Sequence, residues 1–371
     1  MKEALEISGR TIPGGWVVGG KSRLMDVWSA SALVLRAPAI SYPDHSVLFT
    51  LGEGVSEPRG MGKKAKLRGK IGLGAKKTIR MDDSKVFFDC RFDATGNVAH
   101  ILQNQIGVAL AGLEVMGMSE RWRDLVFVVS EETPGYAARL FEAMGFEVLA
   151  SSDEGVSGTR LTMEPKKFPL RAVASKYLRR HAIEVGLLSD DDAVGEDLFL
   201  SRRARRTVRN MGEIEPRVNA AGYRTVYAED YSAQEQIQMI ARAGRVFALH
   251  GAAMGFLMFR DPARHGAVVE CFPCGYATGW AKAICWHGGD IWMGAQGDLE
   301  SQVVLDVLGD GRARDHEADD YRLEPRAVDA LLKASAMVYE QGKNIEAEAF
   351  EAMVGSIEID VEPTSGEGGG A

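Results

Sequence analysis

Long hydrophobic runs are missing from this chain: no window holds the roughly 18 uninterrupted apolar residues that a membrane-crossing helix needs. The opening residues also lack a leader pattern. Met1 to Pro13 carries acidic residues and no apolar core, so it does not read as a secretory signal. Export is therefore not expected, and the four cysteines are read as reduced thiols in the cytoplasm. Positive charge is in deficit, with 44 Lys and Arg against 52 Asp and Glu for a net charge of −8. That balance argues against a general nucleic-acid binder. No G-x-G-x-x-G follows a strand pattern, which removes the usual nicotinamide-dinucleotide fingerprint and with it an epimerase on this architecture. No internal repeat is found beyond two βα-rich halves.

What is present is ordinary for a globular protein: 46% hydrophobic and 26% charged residues. A length of 371 residues suggests two domains, each long enough for its own core. The most informative stretch runs from Leu198 to Pro273. Leu198 to Arg203 is an apolar run ending in Ser201 and paired guanidiniums, followed by Arg205, Arg206, Arg209 and Asn210. A helix is predicted over Glu213 to Ala221, then a strand over Tyr223 to Tyr227. Ser232-Ala-Gln-Glu235 has the capping-box pattern, starting a helix to about Ala243. Arg245 to Leu249 is a buried-strand pattern running into His250-Gly251-Ala252-Ala253-Met254-Gly255, and a last strand, Gly266 to Val269, ends at Glu270. In open α/β sheets ligands bind beyond the carboxyl ends of the strands. Glycines there let backbone amides approach a ligand, and a following helix N-terminus favours an anion. Ser201, Arg202 and Arg206 can bond phosphate oxygens, and Glu270 at a strand end is placed to accept from ribose hydroxyls. The plainer reading, a turn beside a solvated arginine face, stands at even weight on these residues alone.

The order Ser201 to Arg203, Arg206 to Asn210, Gly222-Tyr223, Glu235-Gln236, Ala243, His250-Gly251-Ala252, Phe259 and Glu270 resembles glycosyltransferase family 61 across about 75 residues. That family, once called capsular-polysaccharide-biosynthesis-like, includes plant xylosyl- and arabinosyltransferases and O-linked GlcNAc transferases. This sequence departs from its usual run at Met211, Ala253, Met254, Gly255 and Phe256. The resemblance implies an α/β, GT-B-like fold with two Rossmann-like domains facing across a cleft. The expected division is 1–180 for the acceptor domain, 181–320 for the nucleotide-sugar domain, 321–355 for a C-terminal helical segment and 356–371 for a disordered tail. In that architecture a C-terminal helix often returns to the first domain.

In the first half, strands are predicted near Val47 to Leu51, Lys85 to Phe92, Asp124 to Ser130 and Phe146 to Ala150. Pro134 to Met144 makes the last two a βαβ pattern, so a parallel sheet is expected, and Asp153 to Thr159 reads as a loop. Asn97-Val-Ala-His100 leads into an apolar helix, Ile101 to Met116. It resembles the family's Asn-x-x-His element, in which an acidic residue often follows a few positions later. Gln103 and Asn104 stand there instead. His100 is the candidate general base, its neutral form being available near pH 7, although a lone His beside an apolar helix is more often a core or capping residue. Arg59 to Arg80 is a basic run with interleaved glycines and no aromatic platform for bases. It reads as a solvated loop, or as a contact to an anionic acceptor or to the inner face of a membrane carrying a lipid-linked glycan.

The resulting expectation is an inverting glycosyltransferase moving a sugar from a nucleotide sugar, a UDP-sugar in the first instance, to a glycan or lipid-linked acceptor, as in surface polysaccharide synthesis. Catalysis is assigned to His100 and donor binding to Ser201, Arg202, Arg206, His250, Gly251, Ala252 and Glu270. Asn97, Asn210, Gln236 and Trp280 are acceptor contacts or structural residues. No cofactor beyond the nucleotide-sugar co-substrate and no metal is expected. Cys271-x-x-Cys274 with Cys285 and His287 has zinc-like elements, but no second close cysteine pair follows. The rival is a degenerate member that binds nucleotide sugar or glycan without turnover.

Overall fold

A computed structural model describes residues 1–7, 10–12, 16–18, 34–36, 40–42, 45–57, 77–91, 93, 96–152, 154–164, 171–264, 266–273, 279–297 and 320–341. Most of the basic run, Cys274 and the tail at 356–371 lie outside these residues. In chain order the strands begin β1 (Lys2–Ile7), β2 (Arg10–Ile12), β3 (Trp16–Val18), β4 (Val34–Arg36), β5 (Ile40–Tyr42), β6 (His45–Ser56), β7 (Thr78–Arg80) and β8 (Val86–Asp89). A helical stretch follows: one turn at Val98–His100, a π-helix at Ile101–Ile106, then α1 (Gly107–Val115). Next come β9 (Leu125–Val129), α2 (Gly135–Ala143), β10 (Glu147–Ala150), β11 (Gly155–Glu164), α3 (Arg171–Glu184), β12 (Leu198–Ser201), α4 (Met211–Ala220), β13 (Arg224–Tyr227), α5 (Ala233–Arg242) and β14 (Arg245–Leu249). A 3-10 helix at Ala252–Phe259 precedes β15 (Ala267–Pro273), α6 (Gly279–His287), β16 (Ile291–Gly297) and α7 (Pro325–Gln341).

The strands form two seven-stranded sheets and one two-stranded ribbon, β2 with β5. The first sheet has the order β1-β6-β11-β8-β9-β10, with β7 also paired to β11. It is mixed rather than parallel. β8, β9 and β10 run parallel, but β6 pairs antiparallel with both β1 and β11. β11 occupies the stretch expected to be a loop. Its two glycines weaken its strand propensity, yet a nine-residue register with β6, Val156↔Ser56 to Glu164↔Leu48, holds it in the middle of the sheet.

The second sheet has the order β13-β12-β14-β15-β16-β3-β4, so two short strands from the first forty residues extend it. From β13 to β16 every pairing is parallel, and β3 continues that sense against β16. Side-chain alternation sorts its residues onto two faces. Leu198, Leu200, Val246, Ala248 and Val268 join the apolar cluster that also holds Phe49, Phe127 and Leu178 of the first half. Phe199, Phe247, Leu249, Val269 and Cys271 face the opposite cluster, with Leu331 and Val338 of α7. Helix α7 therefore covers the outer face of the second sheet, packing on α4, β14, β15 and β16 rather than crossing back to the first. Between the sheets, α3 packs against α1, α6 and the 3-10 helix, so one apolar layer runs through both halves. No helix among the described residues is long and apolar enough to cross a membrane.

The outer layer contains a testable group. Tyr223 lies 2.7 Å from Ser335 through their hydroxyls, and burial pushes its phenol up to about 12 against the opposing pulls of Ser335 and Arg245. The folded value is raised, so the contribution to stability is complete below the unfolded value near 10 and is lost as pH rises through about 12. Alkaline unfolding is expected to steepen across that window, and Tyr223→Phe to flatten it in a pH series of denaturant midpoints. Identical slopes for the two proteins would remove Tyr223 as the cause.

Candidate functional site

In the second sheet, β12 ends at Ser201 and β14 at Leu249, side by side and parallel, so both deliver their following residues to one edge. Arg202 leaves β12 and donates from Nη1 to the His250 carbonyl at 2.6 Å. The two loops are in close contact, because a Cβ on Gly251 would lie 3.2 Å from that same nitrogen. Ser201 Oγ and Arg202 Nε are buried and meet no hydrogen-bond partner among the described residues. Arg205 and Arg206 both adopt φ of 53°, the left-handed region that costs a non-glycine residue about 1–2 kcal/mol. Such strain clusters where a loop must hold a set shape. Among the described residues no ion pair holds Arg206. Burial, and after it the charge of Arg206, pulls the Arg202 guanidinium below its ordinary value, with Tyr321, Glu229 and Asp320 acting in the other direction. Two cations and an unsatisfied hydroxyl thus share one strand edge, an arrangement that an anion would complete.

His250 starts from the same edge. Its backbone N–H donates to Cys271 O at 2.7 Å, and its Nδ1 makes a short contact with Glu270 Oε1. The other carboxylate oxygen accepts from Trp292 Nε1 at 2.8 Å. Glu270 is not at a strand end as expected. β15 continues to Pro273 because Cys271, Phe272 and Pro273 pair with Ala295, Gln296 and Gly297 of β16. Alternation then turns Glu270 with Val268 and Phe272 toward the inner layer, where it is fully buried. In this conformation it fixes His250 and offers no oxygen at the surface. Ala252 opens a 3-10 helix rather than an α-helix, with Gly251 extended before it.

The first half brings its residues to the same layer. Strand β8 ends at Asp89, whose carboxylate accepts from Arg91 and Ser56. Burial opposes its charge, but these bonds outweigh burial and hold it below the usual carboxylate range. Asn97 caps the following helix, accepting from Ala99 N at 3.0 Å. One turn later His100 sets Nδ1 3.2 Å from Asp93 Oδ1, while Asn104 donates to Asp93 Oδ2 at 2.8 Å. A carboxylate seven residues before the histidine thus meets its ring.

Two contacts join the halves beside these residues. A Cβ on Gly255 would lie 3.0 Å from Ala99 Cα, so glycine here lets the 3-10 helix sit tightly against the turn that carries His100. Trp280 donates from Nε1 to Gln103 Oε1 at 3.0 Å, and its ring lies edge-on to His250 at 6.1 Å. Asn210 and Gln236 stand apart from this constellation. Asn210 bonds Leu323 through both amide atoms, and Gln236 donates to Tyr231 O. Tyr321, whose hydroxyl donates to Cys271 O at 3.0 Å, and Trp292 are site residues that no motif announced. Cys271 and Cys285 are buried with their thiols pushed well up by burial, and no group of three metal-ligating side chains occurs among the described residues.

No curated protein matches the chain. The model of a family described as Glycosyltransferase 61 matches residues 118–269. The matched segment begins before β9 of the first sheet and ends within β15 of the second. It contains Ser201, Arg202, Arg206, His250, Gly251 and Ala252, and it stops short of Glu270 and Trp280. The segment that builds the arginine edge and the His250 loop belongs to glycosyltransferase family 61.

Proposed function

We propose that the chain is an inverting glycosyltransferase of GT-B type, with a nucleotide-sugar donor held by the second half and a glycan or lipid-linked acceptor by the first. The observation that carries this is the edge of the second sheet. Arg202 and Arg206 lie there with no carboxylate among the described residues bonded to either, beside a Ser201 hydroxyl that meets no partner among them. Family membership supplies the reaction class. A departing diphosphate develops negative charge, and preorganised cations and amides aimed at it lower the barrier because they need no reorganisation. Arg202, Arg206, Ser201 and the amides around Gly251 and Ala252 take that role. Glu270 and Trp292 hold His250 so that its carbonyl fixes Arg202. His100 removes the proton of the acceptor hydroxyl as that oxygen attacks the anomeric carbon from the face opposite the diphosphate. A UDP-sugar donor, action in the cytoplasm and a contribution to surface polysaccharide are the finer parts of this proposal, as is a membrane contact through residues 59–80.

Calorimetric and thermal-shift titration tests it, with UDP, CDP, their common hexose conjugates and the bare nucleosides. Diphosphates are expected to bind and raise the melting temperature, because a ligand selective for the native state adds stability once its concentration passes Kd. Nucleosides are expected to bind at least tenfold more weakly. Equal affinity for nucleoside and diphosphate would overturn the phosphate edge. Binding with no sugar transfer to any acceptor in a panel would favour the degenerate, non-catalytic member.

A further inference from the structure

We infer that Asp93 is a positioning residue, which holds the His100 imidazole with its proton on Nδ1 and leaves Nε2 bare to act as the base. The inference rests on the reading of His100 given above and adds the group that makes it competent. His100 lies outside the segment matched to the family, and so does Asp93.

The geometry is that of an oriented histidine. Asp93 Oδ1 lies 3.2 Å from His100 Nδ1, and the carboxylate is fixed from its other side by Asn104 Nδ2 at 2.8 Å. The Asp93 side chain is 11% exposed and that of His100 is 40% exposed, so the carboxylate is sheltered while the ring still meets solvent. Asn104 Nδ2 is also 3.5 Å from His100 Nδ1. A ring nitrogen facing both a carboxylate and an amide donor has two options. As an acceptor it would satisfy Asn104 at that long distance and repel the carboxylate. As a donor it satisfies Asp93, while Asn104 keeps its shorter bond to the other oxygen. The second option satisfies every group, and which nitrogen carries the proton is set by the bond the other one makes. Both residues are tied to neighbouring structure. Asp93 follows a turn in which its own N–H donates to Cys90 O, immediately after the Asp89–Arg91 anchor. His100 is fixed by the Asn97 cap and by the 3-10 helix packed on Ala99.

With Nε2 bare, the step balances on this chain's own residues and the two substrates. The acceptor hydroxyl gives its proton to Nε2, and its oxygen forms the bond to the anomeric carbon. The bond from that carbon to the diphosphate oxygen breaks, with its electron pair left on the nucleoside diphosphate. Asp93 stays ionised and faces the imidazolium that results.

Long-range proton–nitrogen NMR of uniformly labelled full-length protein reads the tautomer directly, with His100→Gln assigning this ring among the seven histidines. The neutral ring of the wild type is expected to show Nδ1 protonated, and Asp93→Ala to move the population toward the Nε2-protonated form. In parallel, Asp93→Ala is expected to lower kcat about 10- to 100-fold with an unchanged donor KM. The double variant with His100→Gln should be no slower than His100→Gln alone. Asp93→Asn, whose single amide oxygen cannot serve both Asn104 and Nδ1, should not recover the loss. A proton on Nε2 in the wild type, or an unmoved ring signal in Asp93→Ala, overturns the inference and leaves His100 its role. Undiminished turnover in His100→Gln removes the base and the positioning role together.

Discussion

Arg202→Ala is expected to weaken binding of UDP or its sugar conjugate by roughly 30- to 5,000-fold, the equivalent of about 2–5 kcal/mol for truncating one partner of a desolvated charge pair. The size follows from how Arg202 is held. Its guanidinium is largely buried, spends Nη1 on the His250 carbonyl and keeps Nε without a partner among the described residues. Burial and the neighbouring charge of Arg206 both disfavour its cation. An incoming diphosphate would relieve both penalties at once. The same reasoning gives an effect of opposite sign without ligand: Arg202→Ala should leave the melting temperature unchanged or slightly higher, because it removes a crowded, desolvated charge. Arg203→Ala is the matched control. Arg203 donates to both oxygens of Asp230 at 2.6 Å and stacks 4.1 Å above the Tyr227 ring, so its charge is already answered on the surface. Its removal should change Kd less than threefold, within the range of an exposed pair. Calorimetry on the three proteins decides the matter. Undiminished binding in Arg202→Ala, or equal losses at Arg202 and Arg203, would rule out a local phosphate site.

The two halves were unequally legible in the sequence. β14 was readable to the residue, since Arg-Val-Phe-Ala-Leu is a short apolar run between Gly244 and His250-Gly251. The Ser232–Glu235 capping box was equally plain, and both of its bonds are present. These are local signals, and local structure obeys them. β11 was missed because its strand character comes from its partners: Gly155, Ser157, Gly158 and Thr159 read as a turn until β6 and β8 lie beside them. The same limit misplaced Glu270. A Glu at the end of an apolar run looks like a strand terminus, and only pairing with β16 shows that the strand continues through Pro273. Asp93 was not singled out as the partner of His100. The residues between them carry no periodic signal. Ser201, Arg202, Arg206 and His250 were singled out because a family motif carried them, whereas Trp292, Tyr321 and Arg260 were not, because buried polar bonds between distant elements leave no spacing to read.

Arg260 is the clearest case of such a bond, and Arg260→Ala is expected to destabilise the second half by about 3–5 kcal/mol. The side chain is 5% exposed and donates from Nε to Asp290 Oδ2 at 2.8 Å, with the Asp290 side chain fully buried. Its Nη1 donates to the carbonyls of Ile240 and Ala243, and its Nη2 to that of Gly244. These carbonyls lie at the carboxyl end of α5 and in the link to β14, where helix carbonyls have no partner within the helix and a cation is favoured. One guanidinium therefore caps a helix, neutralises a buried carboxylate and joins the end of the 3-10 helix to the start of β14. Truncation would leave Asp290 charged without its buried counter-ion and expose three carbonyls to an apolar layer. The melting temperature should fall by on the order of 10 °C. Space at this node is equally constrained, since a Cβ at Gly266 would fall on the Arg260 and Asp290 side chains. Gly266→Ala should thus reproduce much of the loss. Combining it with Arg260→Ala should cost less than the sum, because both act on one ion pair. Replacing Arg260 and Asp290 together by Met and Leu should recover most of the stability, as apolar pairs of similar volume commonly do. Urea midpoints for the four variants test this scheme, and additive losses in the double variant would show that Gly266 acts elsewhere.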